Sequence, residues 1–243
     1  MSVLEPQQKW NWLKRHPLVP TRDEALASRK PIELISLGPF FFVLLARLET
    51  LDDLPRSYPI AKQYRDFLMV AVCACTSLRL KNIVDLRLGE NIFRHGGGYE
   101  IRYYSRSIKN KKQMTLQIPE ELMAHMDVYI SAYRPLLLRH SKQTDDGALW
   151  LARKPGSISR SSTQLIVARV TKEILDRKAT PHSFRHSAVT QILAGDTDGE
   201  MAAAALLGHR GLATVRTYYD LSSESAKNLP WRGLIAKYRP VTK

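Results

Sequence analysis

Residues 60–76 constrain the fold more than any other stretch of this chain. From Phe67 to Cys75 every side chain is apolar, and polar residues crowd only its first half. That run is too long for one strand and reads as a buried helix, with residues 79–87 as a second. A helix that is apolar on every side must be enclosed by other elements, so a substantial core has to form around it. Cys73 and Cys75 lie inside the run, which places them in packing rather than in a disulfide framework or a metal site. With 243 residues, 44% of them hydrophobic, the chain supports one such core and a small appendage. No membrane span is expected, because Pro39, Arg47 and Glu49 interrupt the Phe40-rich segment. The polar, tryptophan-containing N-terminus does not resemble a signal peptide, so a reducing cytoplasmic setting is expected.

The rest reads as mostly helix with one short sheet. Glu100–Ser105 and 113–118 carry the β-branched, aromatic and alternating character of strands, with a polar Lys109-Asn110 turn between them. Residues 120–138 place Leu122, Met126, Tyr129, Ile130 and Tyr133 at helical spacing, and residues 163–177 repeat the pattern with Ile166, Val170 and Ile174. These aromatics read as core and not as a base-stacking platform. His16, His95, His125 and His140 have no partners at ligand spacing and read as surface residues. The expected class is α+β, predominantly helical, with a small antiparallel β-sheet.

Chemistry concentrates near the C-terminal end. Thr180-Pro181-His182-Ser183-Phe184-Arg185-His186 is followed by Leu206-Leu207-Gly208-His209 and, nine residues on, by Tyr218. Thr180 can cap a helix and Pro181 suits its first position, so His182 and Arg185 share one face. Gly208 reads as a helix stop that leaves the His209 imidazole at a loop mouth. Tyr218 falls on a short segment of mixed polarity, suited to an element that reaches in and withdraws. Such a set can hold a phosphodiester while a phenol attacks it: arginine supplies a planar cationic fork and tyrosine a nucleophile on a rigid arm. His182 and His186 also stand one helical turn apart. A catalytic zinc helix would need glutamate directly after the first histidine, and Ser183 is there instead. No metal or other cofactor is therefore expected.

Charge agrees. The chain carries 37 Lys and Arg against 23 Asp and Glu, a formal +14, which points to a polyanion partner. Arg102, Arg106, Lys109, Lys111 and Lys112 fall within the expected hairpin, and Arg153, Lys154 and Arg160 flank a Gly-Ser loop. These are candidate DNA-backbone contacts.

On the residues from His182 to Tyr218 the chain resembles the tyrosine recombinase (phage integrase) family. The resemblance extends over roughly residues 31–222. Upstream, Thr76-Ser77-Leu78-Arg79-Leu80 is similar to the stretch bearing the family's first arginine, and Ile108-Lys109-Asn110-Lys111-Lys112 to its β-hairpin. The resemblance implies the family's catalytic-domain fold and six catalytic positions. Arg79 and Arg185 would hold the scissile phosphate, His182 and His209 would hydrogen-bond it, Lys109 would protonate the leaving 5′ oxygen, with Lys111 as the fallback, and Tyr218 would attack. Three departures stand out: Ser77 replaces the usual glycine, Asn82 replaces a common acidic residue and leaves support for Arg79 to Asp85 or another residue, and Gly195–Glu200 form a long acidic loop.

The domain organisation expected from this likeness is a linker or remnant of an N-terminal DNA-binding region at 1–29, a catalytic domain at 30–222 and a tail at 223–243. In the tail Trp231, Leu234, Ile235 and Tyr238 line one face of a short helix; the resemblance implies that it docks on a neighbouring protomer in a dimer or tetramer on DNA, the alternative being that it packs back on its own domain. The implied function is site-specific recombination or integration on double-stranded DNA through a 3′-phosphotyrosine, as in mobile elements. The alternatives are a type IB topoisomerase or telomere-resolvase-like activity, which shares the chemistry, and a non-catalytic DNA-binding accessory protein.

Overall fold

The computed structural model describes residues 35–76, 78–96, 98–104, 113–153 and 156–193. All of them fall in one of two units of the chain, Leu34–Lys243, the other being Met1–Glu33. In order, the elements are α1 (Leu37–Asp52), α2 (Tyr58–Thr76), α3 (Leu80–Val84), β1 (Ile92–His95), β2 (Gly98–Tyr104), β3 (Gln113–Gln117), α4 (Met123–Val128), α5 (Arg134–Ser141), α6 (Arg160–Leu175) and α7 (Pro181–Leu193). The class is as expected, helical with a small antiparallel sheet.

The apolar run becomes the centre of the molecule. Every residue of α2 from Tyr64 to Thr76 is buried, and α1, α3, α5, α6 and α7 all pack on it. Cys73 and Cys75 lie in this core, and burial pushes the Cys73 thiol up to about 12. Enclosure on all sides follows from the absence of a polar stripe after Asp66.

The strands pair in the order β1-β2-β3, all antiparallel. Ile101 sits opposite Ile92 on one side and Leu116 on the other, so one face carries the apolar row and the alternate residues Glu100 and Arg102 take the opposite face. Strand β1 escapes the sequence reading because Ile92–His95 is too short to show alternation.

Two expected helices are reshaped by tertiary contacts. The helix read over 79–87 stops at Val84, because Leu88 N–H donates to the Gly147 carbonyl at 2.8 Å and Leu149 N–H to that of Leu86 at 2.8 Å. The helix read over 120–138 is a 3₁₀ turn at Glu120–Leu122, α4, a π-helical turn at Tyr129–Tyr133, and α5. In an α-helix Arg134 would lie far round the axis from Tyr129. The wider π turn brings it near the same face, and Tyr129, Tyr133 and Arg134 are all buried.

These side chains have a shared task. Residues 148–151 run buried with almost no sheet to join, so their carbonyls need other donors. Arg134 Nε donates to Ala148 O at 2.9 Å, the Tyr129 hydroxyl to Leu149 O at 2.8 Å, Ile158 N–H to Trp150 O at 2.9 Å, and an Arg65 guanidinium nitrogen to Leu151 O at 2.5 Å. Among the described residues no helix is long and apolar enough to cross a membrane.

Candidate active site

Helix α7 begins as its sequence dictates. Pro181 occupies the first position. Ser183 N–H donates to Thr180 Oγ1 at 3.3 Å while Thr180 N–H donates to Ser183 Oγ at 3.2 Å, a reciprocal cap with serine in place of the usual glutamate. Phe184 is fully buried and stacks on Phe40 of α1, ring centroids 5.6 Å apart. Farther along, Ser187 Oγ accepts from Ile35 N–H at 2.8 Å and Gln191 Nε2 donates to Ile35 O at 2.6 Å. Cap, stack and these two bonds fix the helix on which His182 and Arg185 are presented.

The first turn of α7 therefore brings His182 and Arg185 together. His182 is exposed and Arg185 is buried at 8% exposure. His182 Nε2 also meets His186 Nε2 at 2.7 Å, the rings nearly perpendicular. At that distance one nitrogen donates and the other accepts.

Arg79 stands on a different element, as the extended residue that starts α3, and its carbonyl accepts Ile83 N–H at 3.1 Å. Its side chain is exposed. Asp85 closes α3 at its C-cap, and its backbone carbonyl accepts from Asn91 Nδ2 at 2.9 Å. What joins Arg79 to the α7 pair is α2, on which both α3 and α7 pack. The helix most legible in the sequence is thus the common support of all three described candidates. Lys109, His209 and Tyr218 lie outside the described residues, as do the candidate DNA contacts Arg106, Lys111, Lys112 and Lys154, residues 1–29 and the tail 223–243.

Of the remaining candidate DNA contacts, Arg102 is already engaged. It pairs with Glu100 two residues back on the same face of β2, approaches His95 Nε2 at 3.1 Å and lies over the Phe93 ring, 4.6 Å from its centre. Glu100 is held low mainly by its bond from Arg102, so the pair is internally neutral. Arg160 is exposed at the start of α6.

Arg153 lines a cleft of about 340 Å³ between α2 and α6, with Tyr58, Lys62, Arg65, Asp66 and Arg169. Asp66 is 2% exposed and receives Arg65 on one carboxylate oxygen and Arg169 at 2.7 Å on the other. With four cations and one carboxylate among its lining residues, the cleft is positive. Sequence reading passed over this group, although an Arg-Asp pair inside an otherwise buried helix is a detectable anomaly. His125, read as a surface residue, is half-buried: its Nδ1 lies 3.0 Å from the Tyr64 hydroxyl, and burial pulls its pKa below the usual histidine value.

Solved structures share this architecture. XerH site-specific recombinase bound to palindromic difH, in a post-cleavage complex, matches with a TM-score of 0.58 at 19% identity, over 81% of this chain and 51% of that one. XerA recombinase matches with a TM-score of 0.56 at 20% identity, over 98% of this chain and 78% of that one. At these identities the likeness is one of fold, that of the tyrosine recombinases. The model of the phage integrase family matches residues 48–225, and the chain belongs to that family. Among curated proteins, tyrosine recombinase XerD of Staphylococcus epidermidis is 27% identical over 187 residues, 76% of this chain and 58% of that protein. Tyrosine recombinase XerC of Bifidobacterium longum subsp. infantis is 26% identical over 176 residues, 69% of this chain and 46% of that protein. The match thus spans about half the length of these relatives.

Proposed function

We propose that this chain carries the catalytic part of a site-specific DNA recombinase that cleaves and rejoins double-stranded DNA through a 3′-phosphotyrosine. The observation that supports this most is the fixed first turn of α7, which presents His182 and Arg185 together within a chain of the phage integrase family. Tyr218 Oη attacks the scissile phosphorus as its phenolic proton passes to an imidazole of the site, His182 or His209, the P–O5′ bond breaks, and the 5′ oxygen departs with a proton from Lys109. The phosphate remains on tyrosine as an ester, so a later 5′ hydroxyl can attack it and release the tyrosine without an outside energy source. Arg79 and Arg185 hold the equatorial oxygens, and His182 and His209 donate hydrogen bonds to them.

The α2/α6 cleft, with Arg153 and Lys62 on its rim, follows the DNA backbone by charge alone. Residues 223–243 join protomers on DNA into a dimer or tetramer. The XerH structures contain difH DNA, which agrees with such a substrate class here.

The test is direct. The protein is incubated with DNA from its own genetic element and quenched in denaturant. The digest is then searched by mass spectrometry for a nucleotide on Tyr218. An adduct absent from Tyr218→Phe is the expected result. An adduct that persists in the mutant would overturn the assignment, and DNA binding with no adduct in either protein would favour an accessory binder. Recombined sites, as opposed to relaxed circles or hairpins, separate recombination from topoisomerase or resolvase chemistry.

A further inference from the structure

We propose that His182 and His186 together form a binding site for a divalent transition-metal ion, copper(II) or nickel(II) best, at the head of α7. Its occupation takes His182 away from the phosphate. The site rests on geometry alone, whereas the inhibitory consequence rests on the role of His182 given above.

The two imidazoles project from consecutive turns of one helix, and their Nε2 atoms are 2.7 Å apart, with ring centres at 4.3 Å and planes at 87°. Neutral imidazole nitrogens in this arrangement are a two-point chelate. With metal–nitrogen bonds of about 2.0–2.1 Å, two ligands at a right angle lie ~2.9 Å apart and two at the tetrahedral angle ~3.3 Å apart. The observed separation is nearer the first, so tetragonal coordination requires the donor ring to give up its Nε2 proton and both rings to turn toward a common point, and zinc requires the nitrogens to move farther apart. Tetragonal nitrogen sites are those of copper(II) and nickel(II), and copper(II) also heads the affinity order of the divalent series.

The support is rigid. The Thr180–Ser183 cap and the Phe184–Phe40 stack hold the start of the helix that carries both histidines, so little ordering is left for binding to enforce. His182 is exposed and His186 is half-buried, which leaves an approach for an ion. Among the described residues no group of three or more His, Cys, Asp or Glu could hold a metal. Water or a ligand oxygen therefore fills the other positions and the ion exchanges readily. Ser183 in place of a glutamate means that no general base stands by for metal-assisted hydrolysis. The site binds and blocks; it does not catalyse.

The experiment uses the full chain, titrated calorimetrically with copper(II) and then nickel(II) in a weakly coordinating buffer, beside His186→Ala, His186→Gln and His95→Ala. Far-UV circular dichroism confirms that each variant is folded. Wild type and His95→Ala should bind one copper ion at least about tenfold more tightly than either His186 variant, since losing one arm removes the chelate. The copper complex should show hyperfine coupling to two imidazole nitrogens by electron paramagnetic resonance, and His186→Gln should show fewer. Equal affinity and unchanged spectra in the His186 variants would overturn the site.

Tyr218 adduct yield is then measured with and without metal. Suppression reversed by EDTA, requiring at least about tenfold more copper in His186→Gln, supports the blocking role. Tight two-nitrogen binding with undiminished adduct would keep the site and overturn the link to His182. A wild type that forms no adduct even without metal would count against the proposed function, while calorimetry would still decide the site.

Discussion

Asp66 is the residue on which most charge turns. It sits 2% exposed in the middle of α2, between Arg65, itself 5% exposed, and Arg169. Burying one charge is tolerable only with its partner present, and removing one partner of a buried pair costs about 3–5 kcal/mol. Asp66→Asn should therefore destabilise the protein by about 3 kcal/mol in chemical denaturation. An unchanged midpoint would mean that the Arg65 bond to the Leu151 carbonyl carries the guanidinium unaided. His125 gives a pH dependence. Burial, only partly offset by Glu49 and Asp52, depresses its folded pKa, so the unfolded chain binds more protons in the window below the unfolded value of about 6.5. This contribution to stability is complete above that value and falls as the pH drops toward the folded pKa. Melting temperature should decline on acidification through this range, less so in His125→Gln, and parallel curves for the two proteins would discard His125 as the cause.

At the scale of elements, α7 shows how a local cap serves the site. Thr180 and Ser183 exchange side-chain and backbone bonds, and loss of such a cap costs about 1 kcal/mol. Thr180→Val should lower stability by about that much in urea unfolding, and should lower Tyr218 adduct yield by more than the unfolded fraction accounts for, because the frayed turn carries His182. Equal losses of fold and activity would show that the cap is only structural. The chain of turns from Glu120 to Ser141 makes a related point. The apolar spacing from Leu122 to Tyr133 identifies the helix and its inner face, but the π turn answers to Arg134, whose Nε must reach Ala148 O.

Across the whole molecule the formal charge of +14 sets the interaction with DNA. Some of that excess is spent internally: Arg102 on Glu100, Arg134 on Asp145, Arg94 on Asp127. Around the α2/α6 cleft Arg65 and Arg169 pair with Asp66, and Lys62 and Arg153 add further positive charge. If they and the hairpin lysines neutralise about six phosphates, affinity for duplex DNA should fall with salt at a log–log slope of about −5. Filter binding or fluorescence anisotropy from about 50 to 200 mM salt measures it. A slope near zero would remove the phosphate backbone as the main contact.

The features legible in the residues alone are those with short-range causes. The apolar run made α2, the Thr-Pro start made α7, and alternation made β2 and β3, each because the local pattern and the tertiary environment ask for the same conformation. His182 and Arg185 fall on one turn for the same reason, and helical spacing alone brings His186 near them. Tertiary structure decided the rest. Helix α3 ends early because Leu86 and Leu88 exchange backbone bonds with 147–149, which no local pattern announces. Arg102 lies against Glu100 and His95, the Arg65–Asp66–Arg169 group closes across α2 and α6, and the His182–His186 gap is 2.7 Å. Such contacts depend on which surfaces meet once the core is buried, and burial energy fixes that from the whole chain at once, not from any window of it.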